Sequence, residues 1–431
     1  MAIVDAYSTG RFLPAALRRH GIDCVHVLSQ SPDLNIKVNS DDYVGEVRHD
    51  GDVEATASSL RTYGVGHVIA GYESGVELVD QLSAELGTRG NGLNKSSARR
   101  NKYEMVLAMR DAGLAHAASF VSSNVDDTIA WAESSAGYPV VLKPVSGYAT
   151  NNVMACSSSE QIRAAHEKIM TSTDGRGIPN AVVLAQEFLA GDEHYVNTVS
   201  HDGRHHTVEI WRYCKRRVPG GDFVYDYDEP LAPDDPNAKK LESFAHQVLD
   251  ALEIRHGAAH TEVMLTARGP VLVECNARAG GGQLPEIITR CFGTNQVELL
   301  ALSAARPDEF NHLHTAAYQL LQHSRSVTLI NPRDQSVVPS HEAMAPVRAL
   351  PTYADSVMTL PAGRLLPRSV DVATQPGLVY LISDDPAEVR ADYQTLRRIE
   401  QDHLFGSVPP RVLSVNAIAE VCGQPEQAGD V

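Results

Sequence analysis

The sequence predicts an α/β protein in three parts: a parallel strand-and-helix layer, a larger mixed body and a small C-terminal α+β cap. Three observations carry this. Short apolar strands alternate with helices over the first 95 residues. A second αβ unit opens at Ala117 and leads into a run of hairpins. Beyond residue 310 the texture shifts toward proline and short strands.

In the first part, Ala2 to Ala6, Cys24 to Leu28 and His67 to Gly71 read as strands. Helices cover Arg11 to His20 and Gly75 to Leu86, stopped by Gly21 and Gly87. The alternation implies a parallel, Rossmann-like layer over residues 1–95. No Gly-x-Gly-x-x-Gly follows a strand, so dinucleotide binding is not indicated. Ser8-Thr9-Gly10 is either an anion-binding turn or a plain strand-to-helix turn.

A polar linker, Asn94 to Ser97, leads to a helix from Ala98 to Asp111 that carries Lys102. Residues 96–310 form the body, with a small lobe at 115–190 and a large lobe at 191–310. Within the small lobe, Gly137 to Pro144 reads as a buried strand that carries Lys143 near its end. The small-residue loop Ser146-Gly147-Tyr148-Ala149-Thr150 follows, suited to laying backbone amides over phosphates. Ala181 to Glu193 reads as a strand, a glycine turn and the start of another strand. His201-Asp202-Gly203-Arg204 is a hairpin turn. His201, His205 and His206 beside it make either a metal site or a solvated turn. Lys215 to Asp228 reads as a basic, glycine-containing loop that could close as a lid. Pro236 opens an amphipathic helix with Leu241, Phe244, Val248 and Leu252 on one stripe.

The hairpin from Ala259 to Asn276 is the most informative stretch. Alternation puts Val263, Leu265, Val271 and Val273 on one face, and His260, Glu262, Met264, Leu272, Glu274 and Asn276 on the other. Glu262 then lies opposite Glu274. Like charges across a ladder are destabilising unless a cation lies between them. Two carboxylates and the Asn276 amide oxygen are hard ligands that suit Mg²⁺. Arg278 follows, placed to hold an anion bidentately. A solvated acidic face is the alternative.

Beyond 310, short strands are expected at Thr315 to Leu321, Val347 to Leu350, Gly363 to Pro367 and Leu378 to Ser383. A helix follows from Pro386 to Glu400. The cap spans 311–425, and 426–431 is expected to be a disordered tail.

Composition narrows the function classes. Hydrophobic residues make up 43% of the 431-residue chain and charged ones 21%, normal for a globular core. A net charge of −17 argues against nucleic acid as a partner. The six cysteines, at 24, 156, 214, 275, 291 and 422, contain no Cys-x-x-Cys. Free thiols and a cytoplasmic location are therefore expected. The N-terminus has no signal-peptide pattern, and no stretch approaches the ~20 apolar residues of a membrane span.

The ordered set of two lysines, a small-residue loop, a hinge with a late glutamate and the Glu…Glu-x-Asn-x-Arg hairpin resembles the ATP-grasp superfamily over residues 1–310. The chain looks most like its carboxylate–amine ligases of the L-amino-acid ligase type. This resemblance implies an ATP-grasp fold and an ATP-dependent amide synthesis that releases ADP and phosphate. It gives Lys102, Lys143, Ser146 and Gly147 to the ATP phosphates, and Glu187, Phe188 and Leu189 to a hinge that reads adenine mostly through backbone groups. Glu193 goes to the ribose hydroxyls, and Glu262, Glu274 and Asn276 to Mg²⁺, with Mn²⁺ as a substitute. Arg278 goes to the transferred phosphate and a substrate carboxylate. Many relatives have a nearly all-glycine loop where this chain has Ser146 to Thr150, so phosphate coverage here is looser or the loop contacts substrate. His260 is a base or a structural hydrogen-bond partner. The implied partners are small carboxylates and amines, chiefly amino acids, and a homodimer is compatible with the sequence. A biotin-carboxylase-like enzyme and a non-catalytic nucleotide-binding regulator are the alternatives. No Met-Lys-Met carrier signal is present.

Overall fold

The computed structural model describes residues 1–29, 38–147, 152–174, 177–218, 223–313, 317–371 and 374–407. Tyr148 to Asn151 of the small-residue loop, Cys422 and the expected tail lie outside the described residues.

The N-terminal layer is a four-stranded parallel sheet of β1 (Ala2–Val4), β2 (Val25–Leu28), β3 (Gly45–Arg48) and β4 (Val68–Ala70), ordered β3-β2-β1-β4. Sequence reading missed β3, whose Gly-Glu-Val-Arg lies at the sheet edge and has no apolar run. The chain leaves β1 toward one edge and later returns to its other side. The topological switch point therefore falls between β1 and β4, where open α/β sheets place ligands. The two connections there touch: a Cβ on Gly10 would lie 2.2 Å from the Gly71 carbonyl oxygen.

The small lobe is an antiparallel sheet of β5 (Ser119–Ser122), β6 (Val140–Pro144), β7 (Met154–Cys156) and β8 (Val183–Glu187), ordered β5-β8-β6-β7. The helices Val125–Trp131 and Ser159–Met170 pack on it through Ile129, Ile162 and Ile169.

The large sheet has eight strands in the order β13-β12-β9-β10-β11-β14-β18-β16. They are β9 (Gly191–His201), β10 (Arg204–Arg217), β11 (Phe223–Pro230), β12 (Gly257–Thr266), β13 (Gly269–Asn276), β14 (His323–Thr328), β16 (Tyr353–Met358) and β18 (Gly377–Ser383). The helix Ala238–Ala251 buries Leu241, Phe244 and Val248 against it, as its stripe predicts. β15 (Ser336–Val337), β17 (Leu365–Leu366) and β19 (Gly406–Ser407) form a separate small sheet.

Several expectations change here. Lys215 to Asp228 is largely strand: β10 pairs with β11 down to Arg217 opposite Phe223, and residues 219–222 lie outside the description. Val347 to Leu350 is not a strand. Ala345–Arg348 is a helical turn, with Pro346 in its first turn. Residues 317–321 carry no strand, and the strand of that region is β14, whose polar sequence His-Ser-Arg-Ser-Val-Thr gives no apolar signal. β14, β18 and β16 extend the large sheet, so the C-terminal part shares its hydrogen-bonded ladder. Among the described residues no helix is long and apolar enough to cross a membrane.

Candidate active site

One face of the large sheet carries three cross-strand rows. Directly opposed residues in a ladder share a face. Glu209, Asn197, His260 and Asn276 form the first row. Trp211, Tyr195, Glu262 and Glu274 form the second. Tyr380, Ser326, Asp228, Tyr213, Glu193 and Met264 form the third.

The sequence pattern places Glu262 opposite Glu274, and the two are direct Cα partners. The apolar side differs from expectation. The register shifts just after this pair, so Val273 has no direct partner and Leu272, rather than Val273, faces the Val263 side. Val263, Leu272 and Cys275 enter the core there.

Lys102 and His260 approach the two carboxylates from either side. Lys102 Nζ lies 2.9 Å from Glu274 Oε1 and donates to the Gly147 carbonyl at 3.0 Å. Lys102 begins its helix rather than sitting inside it. That helix runs Lys102–Asp111, capped by the Asn101 side chain, and its first amide donates to Val145 O at 2.8 Å. His260 Nε2 lies 3.2 Å from Glu262 Oε1, and its Nδ1 lies 2.8 Å from Asn197 Oδ1. Both ring nitrogens thus lie beside oxygens. Asn197 in turn donates to Glu209 at 2.5 Å. Burial alone would raise the Glu262 carboxyl, but His260, Lys215 and Arg278 hold it below the usual carboxylate range.

Glu73 completes the cluster from the N-terminal layer. It lies just past β4, 2% exposed, and meets Arg278 Nη2 at 3.1 Å and Arg100 at hydrogen-bonding distance. Burial pushes the Glu73 carboxyl up, yet the two guanidiniums hold it low. With its amide nitrogen turned toward them, Asn276 donates to Glu274 Oε1 and Glu73 Oε1, each at 3.3 Å. With the oxygen turned there instead, the amide adds a third oxygen beside the carboxylates. This donor set fits a hard divalent cation. Sequence reading missed Glu73 and Arg100. The available signal was a carboxylate placed directly after an apolar strand of a parallel layer.

Lys143 sits on β6 opposite Leu184 and is 7% exposed. Burial, followed by the nearby Lys102 charge, pushes its ammonium down to about 8, while Glu274, Glu262 and Glu193 pull it back up. Ser146 and Gly147 follow on the loop beside it. At the hinge, the Glu187 carboxylate accepts from the Ala118 amide at 3.0 Å and pairs with Arg268, while the Glu187 amide donates to the Ala118 carbonyl at 2.9 Å. Phe188 is 46% exposed and Leu189 is partly buried. Glu193 pairs with Lys215 at 2.6 Å, and burial still raises its carboxyl above the ordinary range. The structure therefore brings Lys102, Lys143, Gly147, Glu193, His260, Glu262, Glu274, Asn276 and Arg278 to one region.

The histidines at the β9–β10 turn are buried rather than solvated. Arg89 donates to His201 Nε2 at 3.0 Å, and His205 lies between Ser200 and Asp250. His201, Asp202 and His256 come together there, but Arg89 takes one histidine lone pair and brings its own positive charge.

Residues 136–286 match the ATP-grasp domain family. Dapdiamide A synthase of Enterobacter agglomerans is 32% identical over 413 residues, covering 93% of this chain and 96% of that protein. The L-arginine-specific L-amino acid ligase of Bacillus subtilis is 24% identical over 235 residues, covering 52% and 54%. The crystal structure of L-amino acid ligase from Bacillus licheniformis superposes with a TM-score of 0.74 at 18% identity, covering 95% of this chain and 98% of that one. The chain therefore belongs to the ATP-grasp family, as an ATP-dependent ligase that forms amide bonds.

Proposed function

We propose that this ligase joins the carboxylate of one amino acid to the amine of another, through an acyl phosphate, with release of ADP and phosphate. The observation that carries the reading is the direct pairing of Glu262 with Glu274, with Lys102 and His260 set against the two acids. A solvated acidic face would not set a buried lysine and a buried histidine against its carboxylates. The relatives named as dapdiamide A synthase and L-amino acid ligase support amino-acid substrates.

Glu262, Glu274 and Asn276 would hold Mg²⁺, with Mn²⁺ as a substitute, and the ion when bound offsets phosphate charge. Lys102, Lys143, Ser146 and Gly147 receive the ATP phosphates. Glu193 holds the ribose, and the backbone at Glu187 to Leu189 reads the adenine edge. Phosphoryl transfer depends mostly on positioning and charge neutralisation. A substrate carboxylate oxygen attacks the γ-phosphorus, the bond to the β–γ bridging oxygen breaks, and ADP leaves. The amine nitrogen then attacks the acyl carbon, the acyl C–O bond breaks, phosphate leaves, and the nitrogen loses one proton. Arg278, anchored on Glu73, faces the anionic groups. His260 acts as a positioning residue that holds Glu262.

The test incubates the protein with Mg-ATP and pairs of amino acids, with and without bicarbonate and biotin. A product lighter by one water than the summed substrates, formed with ADP, is expected. Hydroxylamine should divert the first substrate to a hydroxamate. ADP formation that needs bicarbonate and biotin, with no condensed product, would overturn the reading.

A further inference from the structure

Building on the ligase reading, we propose that Asp228 binds the amino group of the carboxylate-donating amino acid. Asp226, Asp228 and Glu229 lie close together on β11, and two of them have a guanidinium. Asp226 pairs with Arg397 at 2.5 Å, and Glu229 pairs with Arg325 at 3.0 Å and with Arg212. Asp228 differs. Among the described residues no lysine, arginine or histidine forms an ion pair with it. Lys215, whose charge reaches it, is committed to Glu193 at 2.6 Å.

Asp228 is instead held by uncharged donors. Gln283 Nε2 donates to Asp228 Oδ2 at 3.3 Å and to the Tyr195 hydroxyl at 3.2 Å. Ser326 Oγ donates to Gln283 Oε1 at 2.8 Å, which fixes the amide so that its nitrogen faces the carboxylate. An amide orients a carboxylate and leaves its charge uncompensated. Burial accordingly pushes the Asp228 carboxyl up to about 8. The Tyr195 and Tyr213 ring centroids lie 4.6 Å apart, and the Lys215 ammonium stands over the Tyr213 and Tyr225 rings, 5.9 and 4.7 Å from their centroids, so this row already accommodates one cation.

Asp228 is also connected to the reacting centre. It stands directly across from Tyr213, in the row that continues to Glu193, and the Tyr213 hydroxyl lies 3.4 Å from His260 Nε2. Gln283 follows Arg278 on the same short loop. A primary ammonium supplies the charge that the uncharged donors around Asp228 lack. The substrate class is thus an amino acid with a free amine on the acyl-donor side.

The test measures hydroxamate formation by wild type and Asp228→Asn. The probes are the proteinogenic amino acids, each set against its des-amino carboxylic acid, with hydroxylamine as the only acceptor. The wild type should favour the amino acid over its des-amino counterpart. Asp228→Asn should raise KM for the amino acid at least about tenfold and leave kcat/KM for the des-amino acid unchanged. Should Asp228→Asn fail to fold, the same split is read on Asp228→Glu, which keeps the charge but displaces it. Equal loss for both substrate types would overturn the proposal, as would a wild type that uses them equally well. A raised KM for the acceptor amine alone, measured in dipeptide synthesis, would also overturn it. If wild type forms neither ADP nor hydroxamate with any amino acid, the ligase reading falls and this proposal falls with it.

Discussion

Glu73 Oε2 and Arg278 Nη2 lie 3.1 Å apart, although 205 residues separate them. The contact ties the N-terminal layer to the end of the acidic hairpin. Arg100 takes the other Glu73 oxygen, so one buried carboxylate orients two guanidiniums. Glu73→Ala should leave both arginines buried without a counter-ion, destabilising the protein by about 3–5 kcal/mol. Glu73→Gln, which keeps the shape, should cost less stability and still lower kcat. Denaturant melts and steady-state kinetics on both variants check this, and a Glu73→Gln enzyme with unchanged kcat would disconnect the layer from catalysis.

Glu274→Gln should fold and bind nucleotide weakly, with ADP formation down about 10²–10³-fold, as when other charge-stabilising groups are removed. Mg-ATP should raise the melting temperature of wild type more than that of the variant. Normal turnover by the variant in the presence of substrates would show that Glu274 holds no metal.

Lys143 gives a pH-dependent prediction. Burial lowers its ammonium from 10.5 to about 8 in the free protein. Between those values the unfolded chain binds more protons than the folded one, so stability rises with pH there. Below pH 8 the buried charge is a standing penalty. Lys143→Met should therefore be more stable than wild type at pH 7 without ligand, by about 1–3 kcal/mol, with the gap narrowing toward pH 10. The same variant should bind ATP more weakly. Denaturant melts at pH 7 and pH 9, with nucleotide titrations, test both halves. A loss of stability at pH 7 with unchanged ATP affinity would make Lys143 a structural residue.

Gly280 explains why the chain after Arg278 is glycine-rich. A Cβ there would stand 3.0 Å from Asn197 Nδ2 and 3.1 Å from His260 Nδ1. The backbone is also fixed, since Gly280 N donates to Gln296 at 2.7 Å and its carbonyl accepts from Thr9 at 2.6 Å. Gly280→Ala should displace the Asn197–His260 pair and lower kcat by about tenfold or more while ATP affinity holds. Parallel turnover and nucleotide-binding measurements decide it, and an unchanged kcat would show that the pair does not position Glu262.

What the sequence made legible follows from the range of each interaction. Glu262 and Glu274 were readable because a hairpin pairs near neighbours and strand alternation fixes the face. The shift at Val273 was not, since a bulge leaves no compositional sign. Glu73, Arg100, Asn197 and Gln283 meet their partners only through the tertiary fold, and each reads as an ordinary polar residue on its own. β14 was hidden because its buried Ser326 and Arg325 satisfy their polarity through Gln283 and Glu229. Val347 to Leu350 looked extended because short apolar runs do not distinguish strand from helix.

The eight-stranded ladder bears on how such enzymes can be recombined. β14 pairs onto β11 and β18 onto β14, and they carry Ser326, which steadies Gln283, and Tyr380, which donates to the Gly282 carbonyl at 2.6 Å. Cutting the chain near residue 310 would bare the backbone of β11 as a sticky, aggregation-prone margin. Grafting the stretch from β14 onward out of a relative would instead heal that margin and replace the far wall beside Asp228, while Lys102, Lys143, Glu262 and Glu274 stayed in place. The C-terminal strands thus share one ladder with Asp228, and exchanging them would change its neighbours.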